Sequence, residues 1–170
     1  MFSKQDIEKY FLAEKQLGIV FIIIGALAIV LALVFFLVMK TSFYKGAAIP
    51  LLVIGLVQLA ASIPVYKNSD KLRIRYVYAY DMNPAQIKDE ELPRMTSVVK
   101  KFAVIKWVEA VLLITGLVLI YYNRNNPEKA FWYGMGITLT LQVLIMLFAD
   151  YSAERRARKY TSGIESFSKK

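Results

Sequence analysis

The sequence contains no cysteine and no histidine. The lack of cysteine excludes a disulfide framework, a thiolate metal site and a cysteine nucleophile. The lack of histidine excludes imidazole ligation of zinc or haem and acid–base catalysis by histidine. Metal or nucleophilic chemistry would have to rest on 13 carboxylates, most of which lie in polar segments. We therefore expect a protein that is not an enzyme and that binds no metal and no other cofactor.

Apolar residues, in contrast, are in excess. They make up 57% of the 170 residues, whereas soluble domains average about 45–50%. Most of the excess lies in four runs of roughly 20 residues, each long enough to cross about 30 Å of hydrocarbon. We expect transmembrane helices, because open strands leave backbone groups unpaired in lipid and the runs do not alternate as barrel strands do. The expected spans are about 17–39, 47–66, 103–122 and 131–149.

The distribution of Lys and Arg predicts the orientation of these spans. Segments 1–16, 67–102 and 150–170 hold 17 of the 22 cations, and cytoplasmic segments usually hold the excess. Both termini and the central segment are therefore expected in the cytoplasm, in a multi-pass protein of the inner (plasma) membrane. The net charge of +9 then reflects topology and attraction to anionic lipid headgroups, and we expect no nucleic acid partner. The first run lacks a small-residue cleavage site, so we expect it to remain as an anchor.

The expected fold is all-α. It is a four-helix transmembrane bundle of two tandem hairpins with cytoplasmic helical extensions, and 1–170 form a single membrane domain. Ser3 and Asp6 fit a capping box, which predicts a cytoplasmic helix over 1–16 that continues into the first span. Ile7, Tyr10 and Phe11 form an apolar stripe on that helix, which either lies on the lipid interface or packs against the central segment.

The two remaining polar segments are interpreted as a cytoplasmic loop over 67–102 and a basic cytoplasmic tail over 150–170. Within the loop, the second helix is expected to continue through 71–78, and a short helix to begin at Asn83-Pro84 and end at Leu92-Pro93. A shift of 84 residues lays Gln58 on Gln142. Either a parallel repeat of two hairpins or similar needs at two helix exits explain this match.

Four polar residues lie inside the predicted spans: Gln58, Lys106, Glu109 and Gln142. Ionisable groups at this depth cost roughly 2.5–3.5 kcal/mol, so we expect all four to face the bundle interior as one layer. In a structural interpretation, glutamine hydrogen bonds join the helices, and Lys106 neutralises Glu109 or extends to the interface. In a functional interpretation, Glu109 is the centre of a proton or cation site.

Small residues mark faces where helices approach closely. Gly18, Gly25 and Ala32 recur at intervals of seven in the first span, and Gly134 and Thr138 form a small-xxx-small pair in the fourth. The favoured use is packing within the chain, and the alternative is contact between copies in a homo-oligomer.

A charged segment follows the fourth span. It contains Asp150, Glu154, Arg155, Arg156, Arg158 and Lys159. As an anchor, it keeps the tail on the cytoplasmic side. As a binding patch, it holds a lipid phosphate headgroup or an acidic partner.

Three stretches of the last span and its exit carry a resemblance to known proteins: Phe131-Trp132-Tyr133-Gly134, then Gln142, then the residues FADYSAERRARKY at 148–160. Together they resemble the end of small four-span bacterial inner-membrane proteins. Some such proteins are immunity partners of toxins that act on membranes in competition between bacteria. The resemblance implies a non-enzymatic protein that protects against a membrane-acting toxin or assembles with a membrane complex. The alternative is a small transporter or channel with an intramembrane site at Gln58, Glu109 and Gln142.

Overall fold

The computed structural model describes residues 2–169, which are all-α and contain no strand. The expected all-α four-helix bundle is confirmed. Four long helices, numbered α1 to α4, are each long and apolar enough to cross a membrane. Their bounds are Lys4–Met39, Ser42–Met82, Pro84–Asn123 and Pro127–Ser168.

Helix α1 begins where the capping box predicts. The Ser3 N–H and the Ser3 hydroxyl both donate to Asp6 Oδ2, at 2.9 and 2.8 Å, so the side chain three residues on satisfies the N-cap amide. The α-helical part, Lys4–Val34, passes into a π-helical turn at Phe35–Met39. Lys40 then ends the helix in the left-handed conformation, with φ of 55°. Since α2 begins at Ser42, the two helices are joined by only two residues.

The segment 67–102 is not a loop, which corrects the expectation. Helix α2 continues through 71–78 to Met82, and Asn83 alone is non-helical among the described residues of this segment. The expected helix end at Leu92-Pro93 is also wrong. A π-helical turn at Ile87–Glu91 lets the Leu92 N–H bond to the Ile87 oxygen, and α3 continues to Asn123. This wider turn accommodates Pro93, which has no N–H to donate.

The segment 150–170, which we expected to be a tail, is helical through Ser168. Helix α4 starts with a 3-10 turn at Pro127–Lys129 and continues as an α-helix over Ala130–Ser168. Residues 150–168 therefore extend the fourth predicted span as helix.

The chain divides into two compact units, each built from pieces of all four helices. We call Met1–Ile19, Ile63–Ile105 and Ala149–Lys170 the charged unit, and Val20–Ser62 and Lys106–Phe148 the apolar unit. The charged unit holds 17 of the 22 Lys and Arg residues.

Glycines bring helix backbones into contact in the apolar unit. A Cβ added to Gly25 in α1 would lie 3.0 Å from the Gly55 oxygen in α2. A Cβ added to Gly134 in α4 would lie 2.2 Å from the Phe43 oxygen in α2. The Thr138 hydroxyl, which also bonds within α4, donates to a main-chain oxygen of α2 at 3.1 Å. The small residues on these faces thus pack helices within one chain.

Other residues of the first stripe are buried as well. Ala28 and Ala32 belong to a buried cluster with Ala48 and Leu51 of α2. Gly18, which lies in the charged unit, is buried too.

Aromatic residues dominate the core of the charged unit. The rings of Tyr10 and Tyr160 stack with their centroids 4.2 Å apart, and Phe11 lies against Tyr76. The core contains Phe2, Ile7, Tyr10, Phe11, Tyr76, Ala79, Ile87, Met95, Ala157, Tyr160 and Ile164. The apolar stripe at the start of α1 therefore packs inside the protein, which decides between its two interpretations.

Candidate functional site

The apolar unit buries three of the four polar residues found in the predicted spans. Gln58, Glu109 and Gln142 are 5%, 2% and 8% exposed. Lys106 is exposed, which corrects the expected layer of four. Residues three apart on a helix differ in direction by only about 60°, so Lys106 lies at the edge of the face that buries Glu109. The long stem of Lys106 lets its ammonium reach a polar environment from this face.

A buried apolar cluster connects the three polar residues. Its buried members are Ile54 of α2 with Leu139 and Val143 of α4, and the partly buried Leu112 and Leu113 of α3 pack against them. Gln58, Glu109 and Gln142 each lie three or four residues from a cluster member on their own helix. That spacing is one turn, or about 5 Å along the helix axis. The three polar side chains therefore lie in the same region of the interior.

This polar group has unused hydrogen-bonding capacity. Within residues 2–169, Gln142 Nε2 and Oε1, Gln58 Oε1 and Thr140 Oγ1 are buried without a hydrogen-bond partner. Buried amides are normally satisfied by protein or water, so an unpaired one needs an explanation. Amide and carboxylate oxygens are suited to holding a water molecule, a proton or a hard cation.

A different arrangement surrounds Glu91 in the charged unit. This carboxylate is fully buried and accepts two hydrogen bonds from Arg94, from Nε to Oε2 at 2.6 Å and from Nη2 to Oε1 at 2.7 Å. The Arg94 guanidinium also lies 5.7 Å from the centroid of the Phe11 ring. Such two-pronged pairs fix both side chains in direction as well as in charge.

The tyrosines of the charged unit respond to this environment. Burial, and then the negative charge of Glu91, raises the pKa of Tyr160 far above its ordinary value and raises the pKa of Tyr76 as well. Burial and the charge of Glu14 raise the pKa of Tyr10. These hydroxyls therefore stay protonated at neutral pH.

The charged segment after the fourth span does not form a single patch. Glu154 is buried and accepts a hydrogen bond from Arg158 Nε at 2.8 Å, within one turn of α4. Arg156 Nη2 lies 3.5 Å from Glu14 Oε1 of α1; burial raises the pKa of Glu14, and the charge of Arg156 offsets part of that rise. Arg155 and Lys159 are exposed, and Asp150 is half-buried. Because successive residues of a helix point in different directions, the expected patch is divided into several smaller groups.

Sequence reasoning missed the Glu91–Arg94 pair. Glu91 ends an acidic run with Asp89 and Glu90, which is typical of a solvated surface. The spacing of three residues between Glu91 and Arg94 was the only signal, and surface pairs show it equally often.

No family model, curated protein or solved structure matches this chain significantly. Its role is therefore inferred from side-chain chemistry. Among residues 2–169, no group of three or more acidic side chains is placed to hold a metal ion. The apolar unit contains buried amide and carboxylate side chains. The charged unit contains an aromatic core with cations around it.

We expect Glu91→Gln to lower the free energy of unfolding by about 3 kcal/mol, because it leaves Arg94 without its counter-charge. This is the lower end of the range for buried pairs, since the Arg94 side chain is 34% exposed. Denaturant unfolding followed by near-UV circular dichroism of the tyrosines measures the change.

The matched control is Glu90→Gln, one residue earlier. Glu90 pairs with Arg75 on the surface, with both side chains almost half exposed, so its loss should cost less than about 1 kcal/mol. Equal effects of the two substitutions would contradict the central role of Glu91.

Proposed function

We propose that the protein is a non-enzymatic membrane protein that acts by binding another membrane protein. Its partner is a membrane-acting toxin, for which it serves as an immunity protein, or a larger membrane complex. The observation that carries this proposal is the outward face of α3. In its most apolar stretch only 11% of α3 is buried, against 17% for α1, 33% for α4 and 39% for α2.

The exposed face of α3 within the apolar unit has the character of a helix-binding ridge. Its large exposed residues include Trp107, Val108, Val111, Ile114 and Val118. Side chains branched at Cβ have one preferred χ1 rotamer in a helix, so they lose little freedom when a second helix packs on them. Helices in lipid associate through such van der Waals packing. A stiff ridge of this kind suits a foreign transmembrane helix.

The helix connections add support to this proposal. Lys40 and Thr41 join α1 to α2, and three residues at 124–126 join α3 to α4. No external domain is built there, so a partner meets helix faces inside the bilayer or the charged unit. An immunity protein that blocks a membrane-inserting toxin needs such faces and needs no reaction centre. The resemblance of residues 131–160 to four-span immunity proteins motivates this choice among binding roles.

We also propose that the protein lies in a bacterial inner membrane with both termini and the charged unit in the cytoplasm. The support is the concentration of 17 of the 22 cations in the charged unit. Anionic headgroups of the inner leaflet would attract the same cations.

Because the chain has no cysteine, single cysteines report this orientation without background. We expect Asn125→Cys to react with a membrane-impermeant maleimide in spheroplasts, and Ser166→Cys to react only after permeabilisation. Both positions are exposed, so access is set by the membrane alone. The opposite labelling pattern would reverse the proposed topology.

For the immunity role, we expect cells that lack this protein to be killed by a toxin encoded beside its gene, and the wild-type protein to restore survival. The triple variant Val108→Ala, Val111→Ala, Ile114→Ala should bind the toxin on the order of tenfold more weakly, a loss of about 1.4 kcal/mol. Measured survival should fall accordingly.

The matched control is Val20→Ala, Ile23→Ala, Leu27→Ala on the exposed face of α1. It removes a similar apolar volume and should protect like the wild type. Survival of the deletion strain against every neighbouring toxin would refute the immunity role, and equal loss from both triple variants would refute the α3 ridge.

A small transporter or channel is the second candidate, and the unpaired amide of Gln142 favours it. A buried carboxylate at Glu109 beside open amide groups is the arrangement found along proton and ion pathways in membranes. The backbone contacts at Gly25 and Gly134 argue for the binding role, because close helix packing leaves little room for a water-filled path.

Transport predicts that Glu109→Gln abolishes proton or cation flux in proteoliposomes while the melting temperature stays near that of the wild type. Glu128→Gln, an exposed carboxylate near the start of α4, is the control and should leave flux unchanged. A wild-type protein without flux would remove this candidate.

A further inference from the structure

A cavity of about 520 Å³ lies in the charged unit, between the first turns of α1 and the last turns of α4. Its size is in the range of small-molecule sites, about 300–1,000 Å³. Neither the α3 ridge nor the polar group of the apolar unit takes part in it. The cavity is therefore separate from both of these features.

Cations outnumber carboxylates at this cavity. Lys9, Arg156 and Lys159 line it, together with one acidic residue, Asp6. Asp6 is already engaged by the N–H and the hydroxyl of Ser3 at the start of α1. The charge that faces the cavity is therefore predominantly positive.

The lysines at the cavity have ammonium groups that are not used in ion pairs in the part of the chain that the structure describes. Neither Lys9 nor Lys159 forms an ion pair within residues 2–169. In the same range Arg156 Nε and Nη2 form no hydrogen bond, although Nη2 lies 3.5 Å from Glu14 Oε1. The two exposed lysines that line the cavity therefore have ammonium donors available for an anion, and Arg156, paired with Glu14, adds a third cation to the wall.

Aromatic rings form the rest of the wall. Phe2 and Tyr160 line the cavity, with ring centroids 5.8 Å apart. Gly163 lets the Phe2 ring approach the α4 backbone, since a Cβ there would lie 2.8 Å from that ring. The ring positions are therefore fixed by packing, and they give an apolar surface next to the cations.

We propose that this cavity binds a phosphate group carried on a small organic group. Lys and Arg together recognise phosphate oxygens through charge-assisted hydrogen bonds. The space exceeds what an inorganic phosphate fills, so the organic group lies against the rings of Phe2 and Tyr160. A soluble phosphate ester and an anionic lipid headgroup share this chemistry, and binding experiments separate the two sources.

The test uses the purified full-length protein in neutral detergent, titrated with glycerol phosphate or inorganic phosphate and followed by ³¹P NMR. A second arm uses nanodiscs made with or without phosphatidylglycerol. The cavity variant is Lys9→Gln, Lys159→Gln. Its matched control is Lys71→Gln, Lys88→Gln, which removes the same charge from exposed positions of the charged unit that do not line the cavity.

We expect glycerol phosphate to bind more tightly than inorganic phosphate. The cavity variant should weaken binding at least about tenfold and the control less than about twofold, with melting temperatures like that of the wild type. The same variant dependence seen only with phosphatidylglycerol nanodiscs also supports the site and assigns it to a lipid headgroup. Equal weakening in both variants, equal effects of chloride at matched ionic strength, or no phosphate binding in either arm overturns the proposal.

Discussion

The charged unit is organised around one carboxylate that has no contact with solvent, that of Glu91. A buried charge without a partner would destabilise the fold by several kcal/mol, about 3–5 in measured cases. Arg94 compensates it with two hydrogen bonds, and its guanidinium lies over the ring of Phe11, which packs against the rings of Tyr76 and Tyr160. These rings come from α2 and α4, so the pair determines where distant parts of the chain must meet. Of these rings, that of Tyr160 also lines the cavity.

The apolar unit is held together in a different way. Its helices approach closely at Gly25 and Gly134, so they are held by van der Waals packing, with a hydrogen bond from Thr138 to the main chain of α2. The buried amide of Gln142 forms no hydrogen bond within residues 2–169. In the charged unit, the central carboxylate of Glu91 is paired within the chain. In the apolar unit, amide atoms in the interior form no hydrogen bond within residues 2–169, and a stiff apolar ridge lies on the outside.

The long apolar runs made the helices predictable, because hydrocarbon thickness sets a length that few soluble elements reach. The inward direction of Gln58, Glu109 and Gln142 was predictable from the cost of polar groups in lipid. The prediction that Lys106 faces the interior was wrong, because a long side chain can extend out of the interior from the same helix turn as an inward-facing residue.

The helical course of 67–102 was not predictable from local signals. Pro93 normally marks a helix end, and only the π-helical turn before it allows continuation. The Glu91–Arg94 pair was hidden for a related reason. Its burial comes from residues far away in the chain, and the local sequence around Glu91 has the composition of a surface.

The core of the charged unit joins the two ends of the chain. Ile7 and Phe11, near the start, pack in the same core as Tyr160 and Ile164, near the finish. During translation Tyr160 and Ile164 leave the ribosome after Ile7 and Phe11, so this core stays open until they have been made. A chain cut short before Tyr160 retains the four apolar stretches but loses the last turns of α4, which leaves aromatic side chains such as Phe11 accessible to quality-control proteases. Closure of this core therefore requires that the chain has been made at least as far as Ile164.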